Sequence, residues 1–369
     1  MKAVASFANV LLSAPPRNEK HQENQQVASV AAAGRRGGSD GFYGKSHEDA
    51  LCAAEGGWFI LIFSVLLNPA IDVVYEVNDL IPGSTITDLD ATAHPAGKGI
   101  NVARVTKALG EETCVVGAMP ENDRARFCSH LDKLSIAHAL LPIGGNVRIN
   151  ATISDRESQM ITHLNCKSSR LAQEAAEEFF AYAETLMRPS DYWVLSGSLP
   201  QGMDDAIYQR LIRSLKERGI TVLLDTRDAP LSLGLRAKPS MVKPNHSELE
   251  GFFDERIDGI HHIALKGKRL IDMGIDYVFV SLGGDGMIAI HENDCLLCSP
   301  PGVEVVDTVG CGDALVAGLI VGHVRSLSFN EMCRLGVACG VSNASRRGPG
   351  AVCLEEVYGL AEKVGIEAV

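Results

Sequence analysis

The sequence has no apolar run long enough to span a bilayer; the longest, Trp58 to Leu67, reads instead as a buried strand. It has no basic excess either. Its 34 Lys and Arg face 46 Asp and Glu, and a net charge of −12 argues against general nucleic-acid binding. A disulfide framework is also missing: ten cysteines occur without regular spacing, which points to reduced thiols and a cytoplasmic setting. Cys295 and Cys298 form a lone CxxC, too little for a zinc site. No Gly-x-Gly-x-x-Gly follows the first strand, which argues against a dinucleotide dehydrogenase.

What is present is a 369-residue chain that is 46% apolar, enough for one large α/β domain or two small ones. Residues 1 to 57 differ from the rest. They are rich in Ala, Gly, Ser, Asn and Gln without sustained periodicity, so they read as a disordered extension preceding a domain over 58–369. Val4 to Ala14 is weakly apolar after Lys2, but Ser6 and Asn9 break it and export is not expected. Beyond Trp58, strands alternate with helical patterns, as a mainly parallel sheet with right-handed crossovers requires. Val73, Tyr75 and Val77 alternate with smaller or polar residues, Thr85 to Ala91 is also β-like, and Asn146 to Ile153 alternates again. Insertions at about 72–92 and 138–165 are therefore expected to project as a small β-sheet lid.

Two glycine-rich loops run straight into helical patterns. The first is Pro95-Ala96-Gly97-Lys98-Gly99-Ile100-Asn101-Val102-Ala103; the second is Asp307-Thr308-Val309-Gly310-Cys311-Gly312-Asp313. The second is a ready anion site, because backbone N–H groups converge at the positive end of a helix dipole. Asp313 in that first turn is either a dipole-compensating acid or a general base beside an anion cradle. Asn245 and Glu248 have the spacing of a capping box, which is equally that of a pair organising Mg2+ and phosphate. Asp72 falls just past the end of the first strand, where open α/β sheets bind ligands, though it also suits a turn.

These two loops, with Ser196-Gly197-Ser198-Leu199-Pro200, Lys243-Pro244-Asn245 through Glu248, and Ser281-Leu282-Gly283 through Gly286, resemble in order the motifs of the PfkB/ribokinase family of carbohydrate kinases. The resemblance extends from about Phe59 to the C-terminus. Cys311 replaces a usual alanine, which leaves the backbone donors in place but could make the site oxidation-sensitive. The Pro-Ala-Gly-Lys variant and Arg148-Ile149-Asn150 look most like the bacterial 1-phosphofructokinase subgroup. The resemblance implies a three-layer α/β/α fold with a β-sheet lid that serves as a homodimer interface. It also implies phosphorylation of a phosphosugar by ATP with Mg2+, fructose 1-phosphate being favoured over fructose 6-phosphate or tagatose 6-phosphate. A non-catalytic sugar-phosphate-binding regulator is the reading from another class. Carried over residue by residue, Asp313 would be the base and Gly310, Cys311 and Gly312 the anion hole. Asp72, Gly97, Lys98, Gly99, Asn101, Arg148 and Ser198 would bind the sugar phosphate. Lys243, Ser281, Gly283, Gly286, Gly310, Gly312 and Asn343 would bind the nucleotide, with Asn245 and Glu248 reaching Mg2+ through water. Neither a nucleic acid nor a membrane partner is implied.

Overall fold

A computed structural model describes residues 60–369 apart from 88, 169 and 173; the extension expected over 1–57 lies outside the described residues. In chain order the elements are β1 (Ile62–Leu66), β2 (Ala70–Val77), β3 (Asp90–Ala96), α1 (Lys98–Ala108), β4 (Thr113–Pro120), α2 (Glu121–Lys133), β5 (Ala137–Ile143), β6 (Arg148–Asp155) and β7 (Ile161–Leu164). There follow α3 (Glu174–Leu186), β8 (Tyr192–Ser196), α4 (Ile207–Glu217), β9 (Thr221–Asp225), α5 (Asp228–Arg236), β10 (Met241–Val242), α6 (His246–Phe253), α7 (Gly259–Asp272) and β11 (Tyr277–Ser281). The chain closes with β12 (Met287–His291), β13 (Asp294–Ser299), α8 (Cys311–Val324), α9 (Phe329–Ala344), α10 (Leu354–Ala361) and β14 (Gly365–Ala368).

The main sheet has ten strands in the order β14-β13-β12-β11-β10-β9-β8-β1-β4-β5. Every pair from β11 to β5 is parallel, while β12, β13 and β14 add an antiparallel edge. The central strands β1, β8 and β4 are buried along their whole length, which is why they read as continuous apolar runs rather than alternating ones. On one face, Phe179, Leu211, Leu215, Leu231 and Leu270 of α3, α4, α5 and α7 join one core. On the other, Val102 and Val105 of α1 pack with residues of α8, α9 and α10. Helices thus cover both faces, giving a three-layer α/β/α architecture. Helix α8 is buried nearly all round, in keeping with its unbroken apolar sequence. A methyl added at its Gly318 would lie 2.8 Å from Gly336 Cα, so α8 and α9 cross almost backbone to backbone.

A second sheet of four strands, ordered β3-β2-β6-β7, stands apart from the first. Its strands differ from the lid insertions read from sequence. Residues 137–143 form β5, the edge of the ten-stranded sheet, because β5 pairs in parallel with β4; only β6 and β7 of the second insertion enter the small sheet. Strand β3 begins at Asp90, later than the β-like stretch read from Thr85. Strands β2 and β6 run parallel with Asp72 opposite Asn150, a pairing of residues 78 apart in the chain.

Candidate active site

The carboxyl ends of β1, β8, β9, β10 and β11 deliver Asn68, Ser196 to Ser198, Asp225, Lys243 and Ser281 to one edge of the main sheet, where open parallel sheets bind ligands. Two helices open onto this edge. Gly99 at the start of α1 is forced by packing: a Cβ there would sit 2.5 Å from the Val65 carbonyl oxygen. Gly99 thus serves a close helix–strand contact. Gly310 precedes α8 with φ +83, and a Cβ would press within 2.6 Å of Pro349 Cβ; both features demand glycine.

Asp313 lies in the first turn of α8 and is only 4% exposed. Its Oδ2 accepts a 2.8 Å hydrogen bond from the Asn101 amide, and its Oδ1 is 3.7 Å from Lys98 Nζ. Burial raises its pKa, against the pull of the Lys98 charge, so the carboxylate is more basic than an ordinary aspartate. Lys98 also donates to Asp225 Oδ2 at 2.8 Å, while Lys243 Nζ is 3.0 Å from Asp225 Oδ1. Burial opposes ionisation of Asp225, yet Lys243 and Lys98 outweigh it and hold its pKa below the ordinary value. Burial likewise opposes the charge on Lys98, and Asp225 and Asp313 overcome it and raise its pKa. Two ammoniums and two carboxylates thus form one line at the sheet edge. Asp225 is an acid at the carboxyl end of a strand, the same signal that singled out Asp72 in the sequence.

Beside this line opens a cavity of ≈ 360 Å³ whose lining includes Asn68, Lys98, Arg148, Ser196, Ser198 and Glu248. Asn68 Oδ1, Arg148 Nε and Ser196 Oγ in its wall are buried with no protein partner. Buried polar atoms left unpaired are costly, so their convergence on one cavity marks a place built for a polar ligand. Ser198 Oγ accepts from the Asn68 amide at 3.1 Å. Of the residues expected to bind substrate, Lys98, Arg148 and Ser198 line this cavity. Asp72 stands one step back in the small sheet, its Oδ1 held by the Asn150 amide at 2.8 Å.

A wider cavity of ≈ 780 Å³ lies on the far side of Asn245, lined by Ser281, Gly283, Gly284 and Pro300 among others. Gly286 closes the turn behind it, its carbonyl accepting from Leu282 N–H at 2.8 Å. Asn245 and Glu248 make a full capping box on α6: Asn245 Oδ1 accepts from Glu248 N–H and Glu248 Oε2 from Asn245 N–H, both at 2.8 Å. Among the described residues no three carboxylate, imidazole or thiol side chains gather as a metal site. The donors present fit Mg2+ held chiefly by phosphate oxygens and water, with the second Glu248 oxygen available from the protein.

Asn343 is corrected from a nucleotide contact to a buttress. It is fully buried in α9, donates to Val309 O at 2.9 Å, and accepts from Gly350 N–H at 2.8 Å and Ala351 N–H at 3.2 Å. Its hydrogen-bonding capacity is thus spent holding the 307–312 loop against the 348–351 turn. Asp307 does the same from the loop side, accepting from Val309 and Gly348 N–H groups. Within the loop, Cys311 N–H reaches Thr308 O at a long 3.4 Å, whereas a Cβ at Gly312 would have only Lys243 Nζ, at 3.9 Å, within reach. Burial raises the Cys311 thiol pKa, which weighs against a reactive thiolate at neutral pH.

The profile of the pfkB family carbohydrate kinases matches residues 62–356. The 1-phosphofructokinase of Vibrio cholerae is 31% identical over 308 residues, covering 84% of this chain and 97% of that protein. That of Haemophilus influenzae is 31% identical over 309 residues, covering 84% and 98%. The crystal structure of Escherichia coli phosphofructokinase-2 in complex with potassium superposes with a TM-score of 0.76 at 23% identity, covering 83% of this chain and 98% of that one.

Proposed function

The chain belongs to the pfkB family of carbohydrate kinases, and from that premise we propose that it transfers the γ-phosphoryl group of ATP to the 6-hydroxyl of fructose 1-phosphate. As a family member it is a phosphotransferase acting on a sugar hydroxyl. The observation that carries the finer reading is the smaller cavity: its unpartnered polar atoms share the lining with Lys98, which in turn contacts the buried Asp313.

The sugar lies in that cavity with its 1-phosphate on Arg148 and its hydroxyls on Asn68, Ser196 and Ser198. The guanidinium fork matches a phosphate in a way a lone ammonium does not. The 6-hydroxyl then points at Asp313, which takes its proton as the oxygen attacks the γ-phosphorus; ADP leaves from the opposite side. N–H groups of the first turn of α8, with Lys98 and Lys243, stabilise charge on the transferring group. Asn245 and Glu248 would hold Mg2+ through water, and the ion would supply neutralising charge to the nucleotide phosphates. Raised basicity suits Asp313 to this role, and Asn101 fixes the carboxylate so that one oxygen faces the sugar. The nucleotide occupies the larger cavity beside Ser281 and Gly283. Closure of the four-stranded sheet over the sugar keeps water from the γ-phosphate. Exposed Ile149, Ile161 and Leu164 on that sheet support a homodimer formed through it.

The test is kcat/KM for fructose 1-phosphate, fructose 6-phosphate and tagatose 6-phosphate, together with Asp313→Asn. Turnover of the variant should fall by about 10² to 10⁴ with KM little changed. A tenfold preference for either 6-phosphate, about 1.4 kcal/mol, would move the assignment to that substrate. Near-normal turnover of Asp313→Asn would return the aspartate to a capping role.

A further inference from the structure

Two arginines line the smaller cavity, and the phosphosugar reading uses one of them. The second, Arg227, follows Asp225 and Thr226 at the carboxyl end of β9 and stands just before α5. Its segment is pinned: Gly197 N–H donates to Asp225 O at 3.0 Å, and Thr226 Oγ1 donates to Gly197 O at 2.9 Å. The Arg227 backbone is extended, and its Nε is 3.4 Å from Asp228 Oδ2, with the two side chains 64% and 81% exposed. A long, exposed pair of this kind holds an arginine only weakly and exchanges readily for a better anion.

Across the cavity, the Arg148 guanidinium has Nε buried without a partner and one amino nitrogen 3.5 Å from Asn68 O, a marginal bond. Burial lowers the pKa of Arg148, Asp72 partly restores it, and the charge on Arg227 lowers it again; the two guanidiniums therefore feel each other. Lys98, the third cation of the lining, is held by Asp225 and Asp313 on the side of the reacting hydroxyl. Two like charges facing a polar cavity of ≈ 360 Å³ are unfavourable unless an anion is shared between them. In a chain of net charge −12 such a concentration of positive charge is a local construction.

We propose that Arg227 is a second grip for the phosphate that the sugar already carries, closing on it from β9 while Arg148 closes from β6. The inference rests on the phosphosugar reading above. Its consequence is specificity: a doubly forked site rewards a dianionic phosphate and gives little to the same sugar without one. One pinned strand end then serves both ends of the substrate, with Asp225 organising the lysines near the reacting hydroxyl and Arg227 meeting the phosphate.

The experiment compares the wild-type chain with Arg227→Gln and Arg227→Lys, using fructose 1-phosphate, fructose 6-phosphate and unphosphorylated fructose as acceptors. For Arg227→Gln, KM for the preferred phosphosugar should rise about tenfold or more, with kcat and KM for ATP within twofold. The ratio of kcat/KM for that phosphosugar to that for fructose should fall to match. Arg227→Lys, which keeps charge but not the fork, should recover part of the loss. A KM within twofold of wild type overturns the inference while leaving the kinase reading intact. An equal loss with fructose and phosphosugar also overturns it, since that marks a structural role. Failure of the wild-type chain to turn over any phosphosugar removes the underlying reading and this inference with it.

Discussion

Replacing Asp225 by asparagine removes one negative charge from the centre of the four-group line and keeps the volume. The carboxylate is 2% exposed and holds two ammoniums, of which Lys243 is 6% exposed and Lys98 43% exposed. The Lys98 contact is screened and contributes little to the sum. The Lys243 contact is a buried pair, and removing one partner of such a pair costs about 3–5 kcal/mol because the other charge stays desolvated. The amide oxygen still accepts one hydrogen bond, so the lower figure, about 3 kcal/mol, is expected. For roughly 310 folded residues, at about 2.1 cal/mol/K of unfolding entropy each, that is a fall in Tm of about 5 °C. The loss must depend on pH with a definite sign. The pKa of Asp225 is lowered in the folded state, so its stabilisation is present above the ordinary aspartate value and disappears as pH falls through the folded pKa. Asp313 has the opposite shift and costs stability once pH rises above the ordinary value, so the two partly offset in the wild-type chain. Urea unfolding of both chains at neutral and acidic pH measures this. A neutral-pH difference under about 1 kcal/mol, or one that grows on acidification, would refute the reasoning.

Gly310→Ala should destabilise the fold by a few kcal/mol, because positive φ and the Pro349 contact both oppose a side chain; Gly312→Ala should leave Tm within about 1 °C, since only the Lys243 ammonium is near. If the loop cradles the transferring phosphoryl group, Gly312→Ala nevertheless loses turnover, and unchanged kcat would argue against the cradle. The acid limb of kcat/KM should lie above the range of an ordinary aspartate, because burial raises the Asp313 pKa. Asn101→Ala, which deletes a bond to the ionised form, should move that limb to still higher pH; a shift to lower pH would contradict the assignment. Cys311→Ala should keep near wild-type turnover, and alkylation of the wild-type thiol at neutral pH should be slow, since burial keeps it protonated. Rapid inactivation that the alanine variant escapes would show the opposite.

The loops that carry Lys98, Asn101 and Asp313 were legible in the sequence because their geometry is local. A small residue must stand where a helix begins against a strand or a turn, and that demand leaves a pattern of glycines. The parallel sheet was legible for a similar reason, since strands covered on both faces lose their alternation. The roles of Asp225, Asn68 and Ser196 were not, because what distinguishes each is a partner, or the lack of one, supplied by distant segments. Asn343 looked like a ligand and is a buttress for the same reason: an asparagine on a helix near a loop does not reveal which backbone groups its amide will meet. Strand β5 was misplaced because edge and lid strands share a pattern, and only its pairing with β4 separates them. Strand β14 was missed outright, being four largely exposed residues at the end of the chain.

The hydrogen bond between Asn101 and Asp313 joins residues 212 apart in sequence. On a ribosome adding about 5–20 residues per second, Asn101 therefore waits roughly 10–40 s for its partner to be made. Through that interval Val102 and Val105 of α1 lack α8 and α9, the helices that share their core in the finished protein. The first half of the chain is thus synthesised with an apolar helix face uncovered and a polar group awaiting its acceptor. Asp313 and the glycine loop before it are made only near the end of synthesis, so a product cut short of them leaves Asn101 without its acceptor and α1 without its covering helices.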